Sequence, residues 1–366
     1  MRQLLAALAA LCSAAPFGRR EGLQVNLHDA AAATDRTAAT LAPAPLLRLP
    51  FSRAADAGWS WVLAHGRVLT SAKARRADVV CGAQLTLLGR DGATRHRVLF
   101  RGHRNEEALG EVLAHATDRW LGLGRAPPLA WRCFSPAELP EQMFAALRPA
   151  PFLAKCAAAR NGGGDGRVCG TVQVELRSVF DACPATAAAV PCAGRGRAEP
   201  GRREELALLA AFDFIIGNRD RELLGCSAPR PINNLHCLRR PAEGYESVVF
   251  LDNGRNQLML GTFHGNSQSE KRDPPRPGFG GGVAALCGPQ HARLWSRLSQ
   301  FGGLSRREQR TALGYGAGAG AVWDEKVSGV DPFNPRGWRW THKCVRAAAK
   351  RIALVARDLE EACGHF

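Results

Sequence analysis

A run of apolar residues near the middle of the chain limits what this sequence can fold into. Between Leu206 and Ile216 nearly every side chain is apolar, in the order Leu-Ala-Leu-Leu-Ala-Ala-Phe-Asp-Phe-Ile-Ile. A helix that is apolar all round must be buried in a large core, because none of its faces suits contact with water. Gly217-Asn218 then ends the helix in a manner typical of helix C-termini. We therefore expect a globular protein built around a buried helix.

Short apolar runs separated by turns predict a sheet in the first third of the chain. The segments Val79-Val80, Leu85 to Leu88 and Val98 to Phe100 resemble strands, and Gly89 to Gly92 has the composition of a hairpin turn. A helix follows and ends near Gly122, because apolar residues recur there at helical spacing. These residues are Leu109, Val112, Leu113, Ala116 and Trp120.

The later part of the chain is predicted to be mainly helical. Residues 134–202 lack periodicity and contain loops rich in Gly and Pro. After the buried helix, Val248 to Leu251 predicts a short buried strand, and residues 289–301 and 341–362 predict further helices. Strands followed by helices predict the α+β fold class, with a small β-rich lobe and a larger, mainly helical lobe.

Three polar clusters interrupt these apolar elements. Asn218 to Arg221 follows the buried helix directly, Asn233-Asn234 lies in the next loop, and Asp252 to Arg255 ends the buried strand. Each cluster alone is more often a turn, since Asp and Asn favour turns. In this order, however, they place carboxylates at the ends of rigid buried elements, where a catalytic group is both fixed and accessible.

This order of residues meets the requirements of phosphoryl transfer. That reaction needs one carboxylate to accept the proton of the attacking hydroxyl, and a second carboxylate with an amide oxygen to hold the metal ions. It also needs a basic residue on a small-lobe strand and a helix glutamate that fixes it. Arg101 and Glu111 are the candidates. Glu111 lies opposite the apolar stripe of its helix and is expected to face solvent or a cleft, with solvent the commoner case.

Four segments in this order resemble the secretory-pathway kinases, a family that includes the Golgi casein kinase, four-jointed and the Golgi-associated kinases. Residues 209–221 resemble the catalytic loop of that family, and residues 250–255 resemble its metal-binding segment. Residues 110–119, followed by Pro127-Pro128, are similar to its small-lobe helix, and residues 98–102 to the preceding strand. The resemblance implies a two-lobed, atypical protein-kinase-like fold. It also implies that the protein is located in the Golgi lumen or is secreted.

The resemblance also implies roles for individual residues. Asp220 would be the catalytic base, and Asp252 and Asn234 would hold the metal. Arg101, Glu111 and Asp252 would seat the phosphates of ATP. The implied cofactors are ATP and Mn²⁺ or Mg²⁺. The implied acceptor is a hydroxyl of a secreted or lumenal protein, or of its glycan.

Two departures from the expected kinase pattern bear on activity. Arg101 stands where the casein-kinase branch has lysine, and a planar guanidinium does not reproduce the geometry of a point charge on a thin stem. Asn234 follows Asp220 at a longer spacing than in an ordinary kinase. There is no Gly-x-Gly-x-x-Gly motif, and Gly89 to Gly92 is a weak substitute. The alternative hypothesis is a pseudokinase that activates or escorts an active relative. A heterodimer or homodimer with a related kinase is a further expected partnership.

The N-terminus and the cysteines favour an oxidising compartment. Residues 1–21 read as a secretory signal peptide or short signal anchor, and residues 22–50 as a stem. The two lobes would then span residues 51–150 and 151–366. Scattered cysteines without zinc spacing predict disulfides, although connectivity cannot be read from sequence. The candidate disulfides that would close short loops are Cys156–Cys169, Cys183–Cys192 and Cys226–Cys237.

The chain is strongly basic, with 49 Lys and Arg residues against 33 acidic residues and a net charge of +16. Such an excess favours acidic or polyanionic partners, although biased codon usage explains it equally well. A third hypothesis is therefore a secreted polyanion-binding protein. Nucleic acid is not expected, because no recognised motif accompanies the charge.

Overall fold

The computed structural model covers the sheet of the first lobe, the central helix and the C-terminal helices. The described residues all belong to one compact unit that extends from Ala42 to Phe366. The predicted signal and stem, and the strand predicted at Val79-Val80, lie outside them. The described residues are 51, 53–73, 81–102, 105–139, 167–176, 179–180, 200–218, 236–239, 246–251, 253–254, 258, 283–315 and 338–364.

The order of elements confirms the α+β class. The α-helices of the described residues are α1 (Arg53–His65), α2 (Asn105–Leu121), α3 (Pro200–Ile216), α4 (Ala292–Phe301), α5 (Arg306–Ala312) and α6 (Trp338–Cys363). The strands are β1 (Val68–Lys73), β2 (Cys81–Leu88), β3 (Arg95–Gly102), β4 (Leu129–Phe134), β5 (Val168–Val174), β6 (Val179–Phe180), β7 (His236–Arg239) and β8 (Glu246–Val249). Short 3₁₀ helices are found at Pro136–Glu138, Val283–Leu286 and Pro289–His291.

The first five strands form an antiparallel sheet in the order β1-β2-β3-β5-β4. Alternate side chains of β2 and β3 are buried on one face, where Leu85 lies opposite Val98. Helix α1 packs on this face and contributes Trp59, Val62 and Leu63 to a small hydrophobic core. The alternation of buried and half-buried side chains is the pattern expected of a sheet with one covered face.

The hairpin between β2 and β3 confirms the strands and the turn predicted at its centre. Gly92 has φ +69°, a backbone conformation that glycine adopts without a steric penalty. The Asp91 carboxylate accepts hydrogen bonds from the backbone N–H groups of Ala93, at 3.0 Å, and Thr94, at 2.9 Å. The turn is therefore held by its own side chain.

Strand β5 lies within residues that the sequence pattern does not mark as regular. It pairs with both β3 and β4, and all 7 of its residues are buried. A strand that is buried on both faces lacks the polar alternation that identifies a half-buried strand, and Gly170-Thr171 weakens the signal further. Because β5 follows residue 150, the sheet draws on both of the ranges predicted for the two lobes.

Helix α3 is the centre of the larger core, as its apolar sequence predicts. Leu209, Phe212 and Ile215 are fully buried, and the helix packs against α6, where Ile352 and Val355 belong to the same core. The helix begins at Pro200, earlier than the apolar run indicates, because proline fits the first turn of a helix. Helices α4 and α6 confirm those predicted at 289–301 and 341–362.

Two disulfides lie within the described residues. Cys133 and Cys169 are joined across the neighbouring strands β4 and β5, and Cys287 is joined to Cys363 at the end of α6. The first bond shows that the candidate pair Cys156–Cys169 is wrong. The true partner is 36 residues away in sequence and is brought close only by the pairing of β4 with β5. Each of the other two candidate pairs includes a cysteine outside the described residues.

Among the described residues, none of the helices combines the length and the apolar character that a bilayer span requires.

Candidate functional site

The C-terminal end of α3 is held by hydrogen bonds within the chain. Gly217 has φ +73° and ends the helix, as predicted. The Asn218 backbone N–H donates to the Asp213 carbonyl oxygen at 2.8 Å, and the Asn218 Nδ2 donates to the Asp213 carboxylate at 3.1 Å. Asp213 is only 3% exposed. Asp213 is therefore a structural group that fixes the start of the predicted catalytic loop.

The residues on either side of Asp252 are also fixed. The Asn253 Nδ2 donates to the Phe250 carbonyl oxygen at 2.9 Å, and Leu251 and Asn253 are both buried. The Phe250 backbone N–H in turn donates to the Arg125 carbonyl oxygen at 3.0 Å. The segment after β8 is therefore anchored to the loop that follows α2.

The elements that lead to the two predicted acidic residues pack directly on each other. The rings of Phe212 on α3 and Phe250 after β8 are stacked, with centroids 4.5 Å apart and an interplanar angle of 22°. Helix α3 also contacts β8. Asp220, Asp252 and Asn234 themselves lie outside the described residues, so their positions remain predictions.

Arg101 lies near the end of β3 and is half-buried. In the sheet register it lies opposite Gly82 of β2 and Thr171 of β5, on the face away from α1. A Cβ at Gly170 would clash with the Arg101 carbonyl oxygen, so the glycine allows β5 to approach β3 closely at this point. The cation therefore extends from a rigid part of the sheet.

Glu111 is buried in the structure, with 4% of its surface exposed, so it does not face solvent. The reason is the position of α2, which contacts both the strands β4 and β5 and the helices α3, α4 and α5. Its neighbours Val112, Leu113, Ala114 and His115 are buried as well. The face of a helix opposite its apolar stripe is also buried when the helix lies between two layers of the fold.

The predicted metal ligands cannot be assembled from the described residues alone. Within the described ranges, no group of three or more His, Cys, Asp or Glu side chains is placed to hold a metal ion. The predicted ligands Asp252 and Asn234 would supply carboxylate and amide oxygens, which are the donors that Mn²⁺ and Mg²⁺ prefer. The donor set predicted from the sequence therefore fits the implied metal.

A buried polar network at the end of α2 is not predicted by the sequence pattern. The Asp118 carboxylate is fully buried and accepts hydrogen bonds from the backbone N–H groups of Arg125, at 3.0 Å, and Ala126, at 3.3 Å. Burial raises the pKa of Asp118, while the neighbouring Arg119 guanidinium and these N–H groups act in the opposite direction. The network fixes the loop between α2 and β4. An Asp-Arg pair at a helix end is a weak sequence signal for it.

The same network continues into the larger core through Glu205. The Arg125 Nη2 lies 2.6 Å from the Glu205 Oε1, and the Val248 backbone N–H donates to the Glu205 Oε2 at 2.9 Å. Glu205 is buried near the start of α3. No spacing in the sequence identifies it, because its partners are distant along the chain.

The C-terminal helix reaches the end of α3 through Arg351, a buried cation that no sequence pattern marks. Arg351 is 2% exposed, and its Nε donates to the Ile215 carbonyl oxygen at 3.0 Å. A cation at the C-terminal end of a helix also interacts favourably with the helix dipole. Arg351 therefore stabilises the last turn before Gly217.

A further polar cluster lies on the face of the sheet that carries Arg101. The Arg97 guanidinium on β3 lies 2.9 Å from the Glu175 carboxylate, and Gln84 on β2 also donates to Glu175. These side chains are half-buried. The cluster ties β2 and β3 to the residue that follows β5.

The fold resembles that of solved Golgi kinase structures. A structure of hydra Fam20 with sugar matches with a TM-score of 0.51 and 16% identity, over 85% of this chain and 90% of that chain. A structure of the Golgi casein kinase with Mn/ADP bound matches with a TM-score of 0.49 and 14% identity, over 86% of this chain and 78% of that chain. A second structure of that kinase has a TM-score of 0.49, 13% identity, and coverage of 85% and 78%.

Comparison at the level of sequence identifies no relative. No model of a protein family matches the chain, and no curated protein matches it. The likeness to Fam20 is therefore a likeness of fold, and it confirms the two-lobed architecture that the sequence predicts. The chain has an atypical kinase-like fold similar to that of Fam20, with a small β-rich lobe and a larger helical lobe.

Proposed function

We propose that the chain is an ATP-dependent phosphotransferase of the secretory pathway that acts on hydroxyl groups of secreted proteins or their glycans. The observation that carries the proposal is the packing of α3 against the segment after β8, with Phe212 stacked on Phe250. The predicted base and the predicted metal ligand follow these two elements in the sequence. Two acidic side chains that leave adjoining, rigid elements are what phosphoryl transfer requires.

In this proposal each selected residue has one task. Asp220 orients the acceptor hydroxyl and accepts its proton, while Asp252 and Asn234 provide oxygen ligands. Arg101 contacts the phosphates from its rigid place on β3, and the buried Glu111 orients Arg101. A bound Mn²⁺ or Mg²⁺ would neutralise charge on the phosphates.

The two disulfides support a lumenal location. Disulfides such as Cys133–Cys169 and Cys287–Cys363 persist in oxidising compartments and are rare in the cytosol. The more specific location, the Golgi lumen, rests on the likeness to the Golgi kinases.

The test is phosphate transfer by the purified, secreted chain. Labelled ATP, manganese and a mixed pool of lumenal proteins are incubated with wild type and with Asp220→Ala. We expect Asp220→Ala to lose transfer while its thermal unfolding is unchanged, because a catalytic base contributes to the reaction and not to the core. Glu361→Ala, which removes an exposed carboxylate on α6, is the matched control and should retain transfer.

Equal transfer by wild type and Asp220→Ala would reject the assignment of the base. Absence of transfer in wild type together with stabilisation by nucleotide would favour the alternative, a pseudokinase that binds a related kinase. The observation behind that alternative is Arg101, whose guanidinium takes the place of the lysine of the casein-kinase branch.

A further inference from the structure

Glu205 joins three separate parts of the molecule with one carboxylate. It lies near the start of α3, its Oε1 is 2.6 Å from the Arg125 guanidinium, and its Oε2 accepts the Val248 backbone N–H at 2.9 Å. Arg125 belongs to the loop after α2, and Val248 belongs to β8. Both carboxylate oxygens are therefore used, and each holds a different element.

Arg125 secures the same strand by a second route. Its carbonyl oxygen accepts the Phe250 backbone N–H at 3.0 Å, and its own N–H donates to the buried Asp118 at 3.0 Å. Val248 and Phe250, the two residues whose N–H groups are held, lie just before Asp252 in the sequence. A change at Glu205 therefore acts on the segment that leads to the predicted metal ligand.

We infer that Glu205 is a positioning residue for the metal-binding segment, and this inference rests on the proposed function. Its carboxylate holds β8 and the Arg125 loop in one arrangement, so that the chain leaves Phe250 in a fixed direction. Groups that support a metal ligand from outside its coordination shell commonly change metal affinity about 10–100-fold when they are replaced. Glu205 would act in this way through the backbone.

Glu205→Gln is the informative substitution because it keeps the size of the side chain. A glutamine oxygen can still accept the Val248 N–H. Its amide nitrogen, however, is a donor and cannot accept a hydrogen bond from the Arg125 guanidinium. The charge-assisted bond to Arg125 is lost, and a half-buried guanidinium is left without its anion, which weakens the hold on the loop that also anchors Phe250.

Glu204 provides a matched control on the preceding position of the same helix. Its carboxylate lies 2.9 Å from the His291 Nε2 and 3.4 Å from the Gln290 Nε2, and both partners belong to the 3₁₀ helix Pro289–His291 rather than to β8 or the Arg125 loop. Glu204→Gln therefore removes the same charge from the same turn without disturbing the metal-binding segment.

The experiment measures the rise in thermal unfolding temperature that ADP causes as MnCl₂ is increased, with wild type, Glu205→Gln and Glu204→Gln compared. A ligand that binds only the folded state raises that temperature, so the MnCl₂ concentration for half of the effect reports metal binding without any activity assay. We expect this concentration to rise about 10-fold in Glu205→Gln and to stay within about 2-fold of wild type in Glu204→Gln.

The outcomes separate this inference from the proposed function. If wild type gives no manganese-dependent response to ADP, the proposed function fails, and the inference fails with it. If wild type responds and Glu205→Gln matches it, or Glu204→Gln shifts equally, only the role of Glu205 is overturned. If Glu205→Gln is not secreted, Arg125→Lys, which keeps the charge but not the forked geometry, carries the same test, and an unchanged manganese requirement overturns the inference.

Discussion

At the scale of single residues, buried polar residues hold the elements that lead toward the candidate site. Glu205 and Arg351 each hold a backbone group of an element that leads toward the candidate site, and the Asp213 carboxylate holds the side-chain amide of Asn218. Removing one partner of a buried hydrogen bond is costly, since the other partner then remains desolvated without a bond. These residues therefore affect stability as well as the site.

Arg351→Met tests this view on the C-terminal helix. We expect the free energy of unfolding to fall by about 2 kcal/mol, because a charged donor to the Ile215 carbonyl oxygen is lost. Urea denaturation measures the change. The control is Arg346→Met, which removes an exposed cation from the same helix and should change stability by no more than about 0.5 kcal/mol. Equal effects of the two substitutions would contradict a special role for Arg351.

At the scale of elements, local signals decide some structures and contacts decide others. The β2–β3 hairpin follows from its turn residues, and α5 begins with a complete capping box formed by Ser305 and Glu308. Strand β5 and helix α1 carry no comparable signal. Strand β5 completes the sheet and helix α1 covers it, so both become recognisable only once the lobe is assembled.

The hairpin turn should weaken in acid because of Asp91. Its hydrogen bonds with the Thr94 side chain and with the backbone N–H groups of Ala93 and Thr94 lower its pKa from 3.8 to about 2. A pKa that is lower in the folded state gives stability that is present above about pH 4 and is lost as the pH falls toward 2. The Asp91 contribution should therefore shrink from pH 5 toward pH 3.

The measurement is the difference in unfolding temperature between wild type and Asp91→Asn across that range. Asparagine can form the same turn but does not titrate. A temperature difference that stays constant with pH would show that the charge of Asp91 does not contribute.

At the scale of the whole molecule, the disulfides join distant parts of the chain. Cys287–Cys363 spans a sequence separation of 76 and ties the end of α6 to the segment before α4.

The positive charge is a second property of the whole chain. Cations such as Arg293, Arg306 and Lys350 are exposed on the helices of the larger lobe, so an acidic or polyanionic partner remains an expectation for this surface.

The Cys287–Cys363 bond can be removed by the double substitution Cys287→Ala with Cys363→Ala. The free energy of unfolding should then fall by about 2–5 kcal/mol, because the unfolded chain regains conformational freedom. Urea denaturation of the secreted protein measures the loss, and peptide mapping without reductant verifies the bond in wild type. A double variant as stable as wild type would show that the bond contributes nothing to the fold.

The candidate site could be predicted from the sequence only in part. The end of α3 at Gly217 and the structural role of Asp213 follow from residues that are close along the chain. The burial of Glu111 does not, because the pattern of one helix cannot reveal that a second layer covers its polar face. Glu205 and Arg351 could not be found either, since their partners are far away in sequence.

The α+β class, the buried helix and the order of the polar clusters can be read from the sequence alone, because periodicity and turn chemistry act between near neighbours in the chain. The folded structure is needed to show that β5 lies between β3 and β4, that Cys133 pairs with Cys169, and that Glu205 holds β8. These contacts join residues distant in sequence, and many partners of suitable chemistry compete for each until the whole chain packs.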